Sequence, residues 1–155
     1  MRTKLLNLLM FFLVCSTVNL TGQTLKQYEK KATEAYSERN YSEALAYYKV
    51  LLEIDPARTD ALFYAGESGR HMRAFHVAEG MFERIPDTSK TGSFYLTDYR
   101  LANVKKGLKK YDEAIVYYQK FIENKHGVND LFLKRATEEL DYCNWALDNL
   151  QNAAP

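Results

Sequence analysis

The chain has 155 residues, of which 46% are hydrophobic and 26% are charged, and this composition predicts a single folded domain or a short repeat array rather than a disordered chain. Seven glycines and three prolines are too few for an all-β protein built on many tight turns. Because 21 Lys and Arg residues nearly balance 20 Asp and Glu residues, the net charge of +1 does not indicate nucleic acid or an anionic membrane as a partner.

The N-terminal residues have the layout of a secretory signal peptide. Arg2 and Lys4 precede an apolar run at positions 5–14, and small and polar residues then lead to Gly22, the expected last residue before cleavage. The apolar run is shorter than the roughly 20 residues of a transmembrane helix, which favours a cleaved signal over the alternative, a retained N-terminal anchor. The sequence therefore predicts an exported protein whose signal peptide spans 1–22.

Beyond this segment, apolar residues recur with the spacing of an amphipathic helix. The stripe at 41–53 returns 70 residues later at 111–123, where six of the 13 positions are identical. A weaker copy, which contains Phe75, Ala78 and Phe82, begins 34 residues after the first. Periods of this size predict a solenoid of stacked helix pairs.

Each of these three helices follows another predicted helix. The preceding helices are expected at about 26–39, 59–72 and 95–107, joined to their partners by short polar turns. Pro56 follows the first pair, and proline ends a helix because it cannot donate the next backbone hydrogen bond. A last amphipathic helix at 129–150 suits a cap that shields the end of the array.

The 34-residue unit resembles the tetratricopeptide repeat. With Leu25 as position 1, the characteristic small, alanine, aromatic and proline positions of this repeat hold Ala32, Ala44, Tyr48 and Pro56. The matching small and aromatic positions of the next two copies hold Gly66, Ala78, Phe82, Ala102, Ala114 and Tyr118. Small residues are needed because the two helices of a pair cross closely at those positions.

This resemblance implies an all-α fold, a right-handed α-solenoid of three helix pairs and a C-terminal capping helix, preceded by the signal peptide. The repeats are expected at 25–58, 59–94 and 95–128, and the capping helix at 129–150. Because members of the family bind protein segments on a concave face, the resemblance also implies a non-enzymatic adaptor or scaffold.

The order of signal peptide, three repeats and a final helix carrying Tyr142 and Trp145 is similar to the N-terminal region of exported Bacteroidetes proteins of the OmpA type, some of which serve type IX secretion. This similarity implies a location in the periplasm or at the outer membrane and a partner within an envelope assembly. The alternative is a structural subunit, or a truncated N-terminal module of a larger envelope protein, that packs permanently on a neighbour.

The sequence offers no convergent set of catalytic or metal-binding residues. His71 and His76 are five positions apart rather than three or four, and His126 is distant from both. Cys143 lies on the apolar stripe of the last helix, where a thiol is usually buried and inert. We therefore expect neither an enzyme nor a bound metal or cofactor.

The resemblance places a partner-binding groove along the first helix of each pair. The expected groove residues, which combine aromatic side chains with both signs of charge, are Tyr36, Phe63, Glu67, Arg70, His71, Tyr99, Asn103 and Lys106. Three of them, Tyr36, Phe63 and Tyr99, are expected to be exposed aromatic anchors for a protein or peptide segment. No nucleic-acid partner is expected.

Some members of the family hold the C-terminal carboxylate of a chaperone with lysine and asparagine residues at fixed positions. The corresponding positions include Glu29, Thr33 and Leu96 here, and only Arg100 fits that pattern. We therefore expect a ligand other than a chaperone C-terminus, bound by aromatic insertion and by mixed charge.

Overall fold

The computed structural model describes residues 24–124 and 129–152. The predicted signal peptide at 1–22 and the residues at 125–128 lie outside the described part of the chain. The described residues form seven α-helices and no strand, which confirms the all-α prediction. The helices are α1 (24–37), α2 (Tyr41–Ile54), α3 (Thr59–His71), α4 (Phe75–Phe82), α5 (Thr97–Gly107), α6 (Tyr111–Glu123) and α7 (Asp130–Asn152).

The helices form an array in which neighbours in sequence are also neighbours in space. α3 packs on α2 and α4, α5 packs on α4 and α6, and α7 packs on α6. Two short 3-10 helices, Asp87–Ser89 and Gly92–Phe94, occupy the connection between α4 and α5, so α5 begins two residues later than expected. Within the two described ranges, no helix combines the length and the apolar composition needed to cross a membrane.

The turn inside each helix pair has the same left-handed geometry. Arg39, Arg73 and Lys109 have φ values of 61°, 59° and 60°, which side chains other than glycine adopt rarely. In each turn the next backbone N–H bonds back to a carbonyl five residues earlier, as in the N–H of Asn40 and the carbonyl of Ala35 at 2.8 Å. Three repeats of one strained turn show that the pairs are copies of a single unit.

Small residues stand where the helices of a pair cross, as expected. The alanines at these positions are fully buried, and they are Ala32, Ala44, Ala78, Ala102 and Ala114. At Gly66 an added Cβ would lie 2.7 Å from Cε1 of the buried Phe82 ring. The ring therefore occupies the space that a larger residue at position 66 would need.

Lys105 of α5 joins the second and third helix pairs from a buried position. Its Nζ lies 2.7 Å from Glu79, 2.5 Å from Glu83 and 2.5 Å from Glu113 of α6. Burial disfavours the charged lysine, but these carboxylates outweigh it and raise the pKa of Lys105. Burial would likewise raise the pKa of Glu79, yet hydrogen bonds from Lys105 and Lys110 hold that pKa below its usual range.

We predict that Gly66→Ala destabilises the protein by about 1–2 kcal/mol, because over-packing against Phe82 exceeds the gain in helix propensity. Gly80→Ala is the matched control, since an added Cβ at this position of α4 meets nothing within 4 Å. The control should raise stability by up to about 1 kcal/mol. Urea unfolding of both variants measures the difference, and equal stabilisation by both would show that the crossing is not tight.

We predict that Lys105→Met costs about 3 kcal/mol, because it removes the cation that Glu79, Glu83 and Glu113 share and leaves the buried carboxylate of Glu79 with Lys110 alone. Lys49→Met, at an exposed position of α2, makes the same chemical change and should cost less than about 0.5 kcal/mol. Chemical unfolding at neutral pH measures both free energies. A loss no larger than that of the control would mean that the cluster is solvated.

Candidate protein-binding groove

The first helix of each pair contributes to one continuous face of the array. The rings of Tyr36 in α1 and Tyr64 in α3 are 5.0 Å apart, and α3 also contacts α5. Tyr99 of α5 in turn contacts Phe132 of α7, with ring centroids 5.6 Å apart. These contacts connect α1, α3, α5 and α7 along one side of the array, here called the inner face.

Two of the three expected aromatic anchors are buried, so the prediction of their exposure is wrong. Phe63 is 7% exposed and Tyr99 is 6% exposed. Phe63 packs against Phe82 of its own pair and Phe94 of the following connection. Tyr99 is covered by rings from α6 and α7, namely Tyr118, Phe121 and Phe132. The connection after α4 covers Phe63, and α7 covers Tyr99. Neither ring is therefore exposed on the inner face.

Tyr36 is the expected anchor that remains partly accessible. Its ring makes edge contacts with Tyr41, at 5.7 Å, and with Tyr64. Burial, and secondarily the negative charge of Glu67, raises the pKa of Tyr36 to about 12. The phenol is therefore neutral at physiological pH and can donate a hydrogen bond to a bound segment.

Glu67 is buried and its charge is compensated within the protein. Arg70 donates to both carboxylate oxygens, from Nε at 2.7 Å and from Nη2 at 3.0 Å. Nε of Arg100 lies 3.4 Å from Glu67, and the Arg100 guanidinium lies against the rings of Tyr99 and Phe132. The bidentate geometry fixes Arg70, so Glu67 and Arg70 act as a preformed pair rather than as two free charges.

His71 is exposed at the C-terminal end of α3. Its ring stacks on Tyr41 with centroids 4.3 Å apart and planes 4° apart, and its Nε2 lies 3.1 Å from Nη2 of Arg70. Burial, followed by the positive charge of Arg70, lowers the pKa of His71. The imidazole is therefore neutral at pH 7, and its Nε2 accepts a hydrogen bond from Nη2 of Arg70.

Asn103 and Lys106 connect α5 to the elements that follow it. The Asn103 amide donates to the carbonyl of Tyr99 at 2.7 Å and accepts from the hydroxyl of Tyr118 at 3.2 Å. Lys106 forms an ion pair with Glu139 of α7. Both residues are half-buried, so each offers a partner only part of its hydrogen-bonding surface.

An open cavity of about 260 Å³ lies between the first and second helix pairs. It combines aromatic, aliphatic and charged side chains, and the lining residues are Glu29, Thr33, Tyr48, Leu51, Arg58, Asp60 and Tyr64. Sequence reasoning missed Arg58 because it belongs to the turn before α3, where the repeat pattern assigns no role. It missed Tyr64 because this residue is adjacent to Phe63, which has the groove position in the repeat.

Two further cavities lie away from this face. One, of about 300 Å³, is bounded by the α4–α5 connection, where Lys90 pairs with Asp87 and Asp98. The other, of about 260 Å³, is at the end of α7 beside the exposed side chains of Tyr142 and Trp145. In the cavity beside the α4–α5 connection, Lys90 and the two carboxylates already form ion pairs with one another.

The carboxylates of Glu79, Glu83 and Glu113 come within 4.8 Å of one another, as ligands of a metal ion would. The ammonium group of Lys105 occupies the position between them. A cation is therefore already present in this group of carboxylates. Neither histidine belongs to this group of carboxylates. His71 stacks on Tyr41, and the exposed side chain of His76 has its Nδ1 3.8 Å from Oε2 of Glu79.

Comparison with known proteins identifies the repeat in part of the sequence. The family model described as tetratricopeptide repeat matches residues 97–124, which correspond to α5 and α6. No curated protein matches the sequence at a significant level. In sequence, the family match is therefore confined to the third helix pair.

Solved structures extend the likeness to most of the fold. The first tetratricopeptide-repeat domain of Spaghetti (RPAP3), bound to the HSP90 peptide SRMEEVD, has a TM-score of 0.65 at 21% identity, covering 81% of this chain and 94% of that chain. The Sgt2 domain from Aspergillus fumigatus has a TM-score of 0.64 at 20% identity, covering 85% of each chain. The TPR2B domain of yeast Sti1, in complex with pHsp70, has a TM-score of 0.59 at 13% identity, covering 81% and 97%. The chain thus has the fold of these tetratricopeptide-repeat domains.

Proposed function

We propose that this protein is a non-enzymatic adaptor that binds a segment of another protein in the groove along α1, α3, α5 and α7. The observation that carries the proposal is the inner face itself, where the half-buried ring of Tyr36 contacts Tyr64, a residue that lines an open cavity. Two structural neighbours, RPAP3 and Sti1, were solved with chaperone peptides bound to the same fold. This fold therefore suits peptide recognition on a preformed surface.

The partner proposed here differs from a chaperone C-terminus. The residues at the relevant positions of the first repeat are Glu29 and Thr33. The carboxylate of Glu29 would repel the carboxylate of a chain terminus. Arg70 is already held by Glu67. An internal segment with neutral and cationic side chains suits this groove better than an acidic terminus.

The proposed setting is a bacterial cell-envelope assembly related to secretion or to the outer membrane. It is supported by the signal-peptide layout of residues 1–22 and by the similarity of the sequence order to exported OmpA-type proteins. Cleavage after Gly22 would give a mature chain that begins at Gln23, and the intact mass of the protein recovered from the envelope would show it.

A second candidate function is a structural module packed permanently on a neighbouring subunit. The exposed apolar side chains at the end of α7 favour it, because Trp145 is 62% exposed and Leu150 is 57% exposed. An obligate module would self-associate or aggregate when purified alone, whereas an adaptor would remain a monomer. Size-exclusion chromatography with light scattering distinguishes the two.

We predict that the double variant His71→Ala with Lys106→Ala reduces recovery of the partner from an envelope extract at least tenfold. Both side chains lie on the inner face, and neither is buried, so helicity should be retained. The readout is affinity purification with quantitative mass spectrometry, after circular dichroism has shown equal helix content.

The matched control is Lys49→Ala with Gln119→Ala, two exposed positions on α2 and α6, the second helices of their pairs. This variant should recover the same partner as the unmodified protein. If the groove variant retained the partner and the control lost it, the binding surface would lie on the second helices and the proposed groove would be wrong.

A further inference from the structure

We propose that the cavity between the first two helix pairs binds the side chain of a lysine or arginine residue in the bound segment. This inference rests on the proposed function, since it assigns the chemistry of one position in the ligand. The cavity of about 260 Å³ is far larger than the ~10–15 Å³ that one water needs, and it is open to solvent. It therefore has room for a long side chain.

The charges of the lining residues favour a cation. Arg58 donates to both oxygens of Asp60, at 2.7 and 2.8 Å, and also forms an ion pair with Glu29. Two carboxylates share one guanidinium, so the lining has one formal negative charge that it does not compensate. The hydrogen bonds from Arg58 hold the pKa of Asp60 below its usual range, so Asp60 is ionised at neutral pH.

The exposed fractions of the charged side chains also favour a cation. The side chains of Glu29 and Asp60 are 35% and 43% exposed, whereas that of Arg58 is 20% exposed. The carboxylates are thus the more accessible groups, and each retains lone pairs for a second donor. An incoming ammonium or guanidinium can bond to Glu29 without displacing Arg58 from Asp60.

The remaining walls suit the apolar part of such a side chain. The rings of Tyr48 and Tyr64 are nearly parallel, at 18°, with centroids 5.8 Å apart, and Leu51 lines the same cavity. A lysine or arginine can lay its methylene groups along these rings while its charged end reaches the carboxylates. The aromatic faces also attract a cation directly.

An anionic ligand is disfavoured at the same place. It would meet Glu29 and Asp60 before it reached Arg58, and it would have to break the bidentate bond between Arg58 and Asp60. A neutral apolar side chain could enter, but it would leave the excess negative charge without a partner. A cationic side chain offsets the negative charge of the lining and places its methylene groups against the apolar walls.

The probe for this site is n-butylguanidinium chloride, titrated into the 15N-labelled protein at constant ionic strength and followed by NMR. Saturable shifts are expected for the amides of Thr33 and Tyr64, and sodium butyrate should produce none. Glu29→Gln removes the excess charge and should weaken binding about fivefold. Glu53→Gln, which neutralises an exposed acid on α2, is the matched control and should leave the affinity unchanged.

Arg58→Gln should have the opposite effect. It leaves two carboxylates without a cation, so n-butylguanidinium should bind about fivefold more tightly and should raise the melting temperature of this variant more than that of the unmodified protein. A variant that merely disturbed the fold would weaken binding. If Arg58→Gln does not fold, the comparison of Glu29→Gln with Glu53→Gln decides alone.

The inference is overturned if n-butylguanidinium shows no saturable binding, if butyrate binds equally well, or if Glu29→Gln leaves the affinity unchanged. The proposed function is tested separately, because His71 and Lys106 do not line this cavity. A partner lost on substitution of those two residues, in a protein whose cavity binds no cation, would retain the groove and reject the cation site. Failure of both experiments would reject both.

Discussion

Close contact between helices at alanine and glycine positions is the constraint on which the whole array depends. An aromatic ring from the second helix of a pair, such as Phe82, fits against the backbone of the first helix because Gly66 has no side chain. The same arrangement brings successive first helices close enough for Tyr36 to contact Tyr64. The packing residues therefore determine the shape of the proposed groove without lining it.

The buried charged residues of this array are paired within the protein. Glu67, Glu79 and Lys105 are all buried, and each is held by an opposite charge within the protein. Ions paired in this way fix the relative position of helices but are unavailable to a ligand. The charge balance for a partner therefore depends on the few places where pairing is incomplete, and the cavity beside Arg58 is the clearest of these.

The sequence was sufficient to predict the fold because the repeat pattern is carried by local spacing. The stripes led by Tyr41 and Tyr111 predicted the helices that contain them, and the buried alanines were identified from their repeat positions. The site was harder to predict, because exposure depends on what packs in front of a side chain. Phe63 and Tyr99 have groove positions in the repeat, yet Phe94 and Phe132 cover them. Nothing in a 34-residue period indicates a contact with a connection or a cap.

The left-handed turns at Arg39, Arg73 and Lys109 have a mechanical consequence. Each pair reverses direction through the same backbone conformation, so the three turns repeat one local geometry along the chain. A deformation that preserves these turns occurs by sliding between neighbouring pairs. Such sliding would displace the Tyr36–Tyr64 contact between the first two pairs, or the carboxylates around Lys105 between the second and third pairs. Charged groups hold both boundaries, through the Arg58–Glu29 pair at the first and the buried cluster around Lys105 at the second, so displacement of either neighbouring pair would separate opposite charges.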